Sequence, residues 1–292
     1  ALQGVIGGRA VHPVNVLVRV FGERPTADQL MARRDELHQA AEDSKSVVDL
    51  IASLPPADYC SKDTVCAAWR PKQFGYGYYS GDQIHVRLNG KTEAVPAAEY
   101  RSLANERAVP HSHAKHSQYK GRPFMVGALA RFNLKQQHLH PRAKAAASPL
   151  GLSAPCYRPF CNSAAQVVEI THCVDDVILL LDEVLKRGIE WEEPAPVTLK
   201  PGARGVGACD VPRGILFHEY QIDENGLIEE ANCIIPTGQN LGNVDRDMRA
   251  LVPTLLTEPE DKIRLTMEML VRAYDPCISC STHFLNVEFV GK

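Results

Sequence analysis

The sequence predicts a mainly α-helical fold with small peripheral β elements, an α+β arrangement, and three observations carry that reading. Apolar residues recur at helical spacing over two long stretches, 27–54 and 163–187. Short runs rich in β-branched and aromatic residues flank turn-forming segments at Asn89-Gly90 and at Asp223-Glu224-Asn225-Gly226. No internal repeat or low-complexity tract competes with these signals.

Taken in order, the first helix has apolar or small residues at 30, 37, 40, 41, 44, 47, 48, 51 and 54. Thr26 supplies an N-cap, because its side-chain oxygen can accept an orphan backbone N–H, and Pro55-Pro56 stops the helix. Gln83 to Leu88 reads as a strand turning at Asn89-Gly90 into a small hairpin. A second helix is expected over 97–108.

The stretch 109–160 resists assignment. His111, His113, His116, His138 and His140 are interleaved with Lys, Arg, Pro and Gly. No pair of them sits at i, i+4 in an evident helix, so they read as solvated or structurally hydrogen-bonded. Cys156 and Cys161 flank a Pro-rich turn without a second ligand pair and read as structural thiols. The helix over 163–187 places Val167, Ile170, Val174, Ile178, Leu181 and Leu185 on one face, and Gly188 ends it. His172 and Cys173 fall inside it as core or interface residues. After a Pro-rich link, Gly214 to Ile222 and Leu227 to Ile235 form the arms of a second hairpin. A final helix over 259–274 delivers the chain to Asp275-Pro276.

Bulk properties exclude several classes. The 292 residues read as one domain, 1–292, and the net charge of −3 offers no basic excess for nucleic acid. The longest apolar run, Val177 to Leu181, is far too short to span a bilayer. No basic region followed by an apolar stretch opens the chain, so a cytoplasmic location is expected. Nine cysteines, an odd and unevenly spaced set, read as a reducing compartment with some thiols reserved for chemistry.

That chemistry points to the C-terminus. Cys277 and Cys280 form a C-x-x-C just beyond a helix, with His283 three residues later. A tight turn at this spacing aims both sulfurs the same way, and thiolates favour zinc, nickel or iron. The bare spacing fits a zinc half-site or a dithiol redox motif as well and does not name the metal.

The surrounding residues do more. Asp275-Pro276-Cys277-Ile278-Ser279-Cys280-Ser281-Thr282-His283 resembles the C-terminal D-P-C-x-x-C-x-x-H signature of nickel–iron hydrogenase large subunits. Asp210-Val211-Pro212-Arg213-Gly214 resembles that family's E-A-P-R-G block, and Ile235-Pro236-Thr237-Gly238-Gln239-Asn240 resembles the block lining the diatomic ligands. Gly7-Gly8-Arg9 with His12-Pro13, and Tyr119-Lys120-Gly121-Arg122-Pro123 running on to Arg131, resemble earlier blocks in the right order.

The resemblance implies the family's helical-bundle core and a nickel–iron centre with carbon monoxide and cyanide ligands. It makes Cys277 a terminal nickel ligand, Cys280 a nickel–iron bridge and His283 a ligand of magnesium or iron. Arg213 would lie over the open side of the metals beside Pro212, Thr237 would donate to a cyanide, and Asp275 would pair with Arg213. The implied reaction is reversible heterolytic cleavage of H2. Its electrons would pass to an iron–sulfur small subunit with its own Fe-S clusters, then to diaphorase-type flavin subunits and NAD(P). A maturation chaperone and an endopeptidase are further implied partners.

Three departures stand out. The family's N-terminal C-x-x-C block, which supplies the other two nickel ligands, is absent, so the sequence reads as truncated and inactive alone. Residues 284–292 continue past His283, as an uncut maturation tail would. Asp210 and Val211 replace the usual Glu and Ala, which would retune packing. Rival readings are a non-catalytic scaffold related to complex I, and a small zinc-binding module built on Cys277, Cys280 and His283.

Overall fold

The computed structural model describes residues 2–18, 20–54, 64–70, 75–77, 81–190 and 192–281, apart from the side chains of Ser279 and Ser281. His283, Cys60, Pro55-Pro56 and the 284–292 tail lie outside these residues. Helices α1 (Leu2–Gly7), α2 (Ala27–Ser53), α3 (Ala128–Lys135), α4 (Pro141–Ala147) and α5 (Cys161–Arg187) make up the first part of the helical layer. Helices α6 (Pro236–Leu255), α7 (Glu260–Ala273) and the one-turn α8 (Ile278–Ser281) complete it.

The two long predicted helices form. Thr26 caps α2 with a full capping box: its hydroxyl accepts the Gln29 N–H, and the Gln29 side chain accepts the Thr26 N–H. Gly188, at φ +89°, ends α5, which packs against α2, α3, α4 and α7.

Strands β1 (Val65–Arg70), β2 (Gln83–Leu88), β3 (Lys91–Pro96) and β6 (Phe124–Met125) form a sheet in the order β3-β2-β1-β6. Strand β6 runs parallel to β1, and the other pairs are antiparallel. Strands β4 (Asn105–Val109) and β5 (Ser112–Gln118) pair alone. Strands β7 (Arg204–Val211), β8 (Gly214–Ile222) and β9 (Ile228–Ile234) make an antiparallel three-stranded sheet.

Two expectations need correction. The helix over 97–108 is a 3-10 turn, Ala97–Ser102, followed by β4; buried Tyr100 and Leu103 lock the turn onto the β core. The end of the Pro-rich link is strand β7, whose N–H groups find partners on β8 across an eight-residue register. Pro236 sits in the first turn of α6, where its missing N–H costs nothing.

Two apolar clusters meet at β1. Cys66 and Ala68 face a helical cluster with Leu129, Phe132, Val168 and Leu270. Val65, Ala67 and Trp69 face a β cluster with Ile84, Phe124, Ile215 and Phe217. Five consecutive residues of β1 are therefore buried, because a central strand turns alternate side chains to opposite sides.

Candidate metal-thiolate site

Helix α7 delivers the chain to the site and is anchored there by buried Tyr274, whose hydroxyl donates to Asp247 Oδ2 of α6 at 2.5 Å. Asp275 follows in the left-handed region at φ +48°, a conformation that Asp tolerates better than most residues, and Pro276 prevents the helix from resuming. The next turn is closed by the Cys280 N–H on the Cys277 carbonyl at 3.1 Å. It brings the two cysteines to a Cα–Cα distance of 5.3 Å with their sulfurs joined in a disulfide. The sequence expects two metal thiolates at this point. Two sulfurs aimed at one point can bond to each other or, once reduced, to one cation, and the geometry serves both.

Three sequence blocks converge on this turn. Thr237, in the first turn of α6 and 4% exposed, accepts the Cys277 N–H on Oγ1 at 3.0 Å. Its own O–H finds no acceptor among the described residues. No side chain caps the start of α6, and a helix N-terminus favours negative charge. Arg213 donates from Nε to the Asp275 carbonyl at 3.0 Å and lies 3.3 Å from Asp275 Oδ1. The guanidinium is thus held from one side and remains partly exposed.

The Pro212-Arg213-Gly214 turn is itself tightly placed. Gly214, at φ +134°, packs against Val126, and a Cβ there would also meet Gly127 N at 3.2 Å. A Cβ on Gly127, at φ +103°, would meet the Arg213 carbonyl at 3.0 Å. Only glycines permit the two backbones to approach so closely. Beneath them Arg131, fully buried on α3, donates to the carbonyls of Val211 (2.9 Å) and Pro212 (2.8 Å). The same guanidinium holds Glu169 by two bonds of 2.7 Å and Asp210 by one of 2.6 Å.

Lys135 completes the buried charge balance. It donates to the carbonyls of Tyr76 and Gly77, and burial lowers its pKa to about 8. Asp210 also accepts the Trp69 backbone N–H at 3.0 Å. Its role is charge pairing as well as packing. Further along α6, Gln239 donates to the Ile215 carbonyl, and Asn240 exchanges hydrogen bonds with Val126 through both its amide atoms. One short block therefore stitches together the start of α3, the start of β8 and the cysteine turn.

Sequence reasoning missed two participants. Gln166 on α5 donates to Asp275 Oδ2 at 2.8 Å and fixes that carboxylate from the side opposite Arg213. Its signal was a polar residue one position before the apolar stripe. Arg131 was noted only as the end of a block, although a cation inside Ala-Leu-Ala-Arg-Phe-Asn-Leu marks a buried partner. His140 and His172, expected as structural residues, stack at 4.5 Å, and the His140 N–H donates to His172 Nδ1. With Asp176 they are the one cluster of three potential metal ligands among the described residues. It contains neither Cys277 nor Cys280.

Residues 72–283 match the nickel-dependent hydrogenase family. The chain belongs to that family. Among its relatives, sulfhydrogenase 1 subunit alpha of Pyrococcus furiosus is 34% identical over 288 residues, covering 98% of this chain and 65% of the relative. Sulfhydrogenase 2 subunit alpha of the same organism is 31% identical, with the same coverage. The chain thus spans about two thirds of the length of these relatives. A crystal structure of an NAD+-reducing NiFe hydrogenase in the H2-reduced state superimposes with a TM-score of 0.79 at 22% identity. That match covers 96% of this chain and 65% of the other. The α+β fold is that of nickel–iron hydrogenase large subunits.

Within this family the donor set can be tested against a nickel–iron centre. Two convergent sulfurs, a hydroxyl with a free proton, a helix start and a tethered guanidinium fit one side of a thiolate-bound metal with anionic ligands. A four-thiolate site needs two further cysteines, and the described residues bring none to this turn. The fit is that of a half-site.

Proposed function

We propose that this chain carries the C-terminal half of the catalytic centre of a nickel–iron hydrogenase, an oxidoreductase acting on H2. One observation carries the reading: residues 213, 237 and 275–280, distant in sequence, meet at one cysteine turn through direct hydrogen bonds. When bound, the nickel–iron centre supplies the polarisation that cleaves dihydrogen heterolytically. The chain's own residues orient and move charge around it. Cys277 and Cys280 hold the metals, with Cys277 Sγ taking the released proton. Arg213 is held through its Nε by Asp275, which Gln166 fixes in turn, leaving its terminal nitrogens to serve the site. The Thr237 hydroxyl donates to a cyanide while its oxygen steadies Cys277.

Under the same proposal His283 binds magnesium or iron, and electrons leave through an iron–sulfur small subunit. An NAD(P)-linked flavin partner and a cytoplasmic site of action agree with the NAD+-reducing neighbour and with the lack of any membrane-length apolar helix among the described residues. The test is metal analysis of the full-length protein purified with its partner. Nickel and iron together are expected, with nickel lost in Cys277→Ser and Cys280→Ser. Arg213→Lys should retain both metals yet oxidise H2 roughly a hundredfold more slowly, the scale of losing one preorganised electrostatic contact. Zinc alone would sink the proposal in favour of a zinc module. Intact metals with an unaltered rate in Arg213→Lys would remove the arginine from it.

A further inference from the structure

A cluster of three titratable side chains lies on the three-stranded sheet, away from the cysteine turn. His218 of β8 and Cys233 of β9 stand directly opposite each other in the antiparallel register. Tyr220, two residues along β8, shares their face because the side chains of a strand alternate. The polar groups form a closed triangle. His218 Nδ1 lies 2.7 Å from Tyr220 Oη and 3.5 Å from Cys233 Sγ, and Tyr220 Oη lies 3.6 Å from the sulfur. The other face of the sheet is the buried one, where Phe217 and Ile234 join the β core. This face is open: Cys233 is exposed, and β9 is at the edge of its sheet. On the other flank, Gly207 and Gly205 of β7 stand opposite His218 and Tyr220 and bring no side chain to cover them. A Cβ on Gly205 would meet no described atom within 4 Å.

We propose that Cys233 is a reversible S-thiolation site for low-molecular-weight disulfides, with His218 as its base and Tyr220 as the donor that steadies the thiolate. A nucleophile in contact with a base, the base held in turn by a third group, is the arrangement that thiol attack needs. His218 takes the S–H proton at Nδ1, and the Cys233 sulfur attacks one sulfur of the entering disulfide. That S–S bond breaks as the new one to Cys233 forms, and the departing thiolate recovers the proton from the imidazolium. One protein thiol and one disulfide become one mixed disulfide and one free thiol, so the incoming disulfide is the oxidant. Reversal needs only another small thiol.

Where the proton sits decides how well the triangle is satisfied. A neutral imidazole offers one lone pair at Nδ1, for which the thiol and the phenol compete. With the proton moved from sulfur to Nδ1, the imidazolium donates to the phenol oxygen and the phenol donates to the thiolate. The bond to Cys233, ahead of desolvation, raises the Tyr220 pKa, so the phenol keeps its proton for that contact. An ordinary thiol is only about 1% ionised near pH 6.5. A resident base therefore leaves room for a several-fold gain in rate there, after allowance for the lower nucleophilicity of a thiolate that forms more easily. Near pH 9.5 hydroxide ionises any ordinary thiol, and the advantage disappears.

The experiment is glutathione disulfide exchange on the full-length protein with its partner, read by peptide mapping of residue 233 at both pH values. Glutathione is expected on Cys233 roughly fivefold faster than on a model peptide thiol near pH 6.5, with the two rates converging near pH 9.5. His218→Gln should abolish the advantage at the lower pH and leave the rate at the higher pH unchanged. Tyr220→Phe should remove part of it. The wild-type pH profile stands whether or not these variants fold. A Cys233 left unmodified, or modified no faster than the model thiol at the lower pH, would overturn the proposal. A His218→Gln profile identical to that of the wild type would overturn the assignment of the base. None of these outcomes depends on the nickel–iron reading, because residue 233 is mapped separately from Cys277 and Cys280.

Discussion

Replacing Arg131 by Met is the sharpest perturbation the structure offers. The guanidinium is fully buried and binds two carboxylates and two backbone carbonyls at 2.6–2.9 Å. Methionine fills much of the space but leaves Glu169 and Asp210 buried, with Lys135 the nearest remaining cation of the cluster. Removing one partner of a buried ion pair costs about 3–5 kcal/mol. Two carbonyls that lose a charged donor add about 1 kcal/mol each. A total near 5 kcal/mol is a large share of the roughly 5–15 kcal/mol that holds a domain together. In urea, with a slope of about 2.5 kcal/mol per molar, the midpoint should fall by roughly 2 M. Adding Glu169→Gln and Asp210→Asn to Arg131→Met should recover part of the loss, since these groups act as one unit. A midpoint shift below about 0.5 M at neutral pH would refute the reasoning, because the cluster would then be solvated rather than interdependent.

Three further outcomes are expected. Gly214→Ala should lower the melting temperature and disturb the Arg213 turn, since φ +134° with Val126 and Gly127 in contact leaves no room for a Cβ; an unchanged melting curve would contradict the packing. Thr237→Val should cost about 1–3 kcal/mol by orphaning the Cys277 N–H, visible as faster amide exchange at Cys277 with little change at Gln239. His172 is held at about 4, first by burial and then by its neighbour His140. Its depressed folded value means that it contributes stability above about 6.5, lost as pH falls towards about 4. The pH dependence of unfolding should be shallower over that window in His172→Gln, and an identical slope would rule the group out.

Much of the fold was legible because it rests on local rules. The Thr26 cap, the Gly188 stop and the Asn89-Gly90 turn each follow from what one residue does to its own backbone. Strands β1 and β7 were not legible, since their burial on both sides or pairing with β8 depends on partners far along the chain. The site divides similarly. Motif spacing pointed to Arg213, Asp275 and the cysteines, and the structure brings these together. Gln166 belongs to no motif and matters only because α5 happens to pass beside Asp275.

Strand β1 has a consequence for how this protein can vary. Its five buried residues are the common wall of two otherwise separate interiors, one helical and one β. Ala67 and Ala68, adjacent in the chain, look into different rooms. A methyl group added at either position presses on one interior directly and displaces the other through the strand backbone, because close-packed matter has little slack to absorb it. A slip of one residue would exchange the two linings, setting Trp69 among the helices and Cys66 among the strands. Drift in the two halves of the molecule is thus tied together at this seam, and neither core can be rebuilt without the consent of the other.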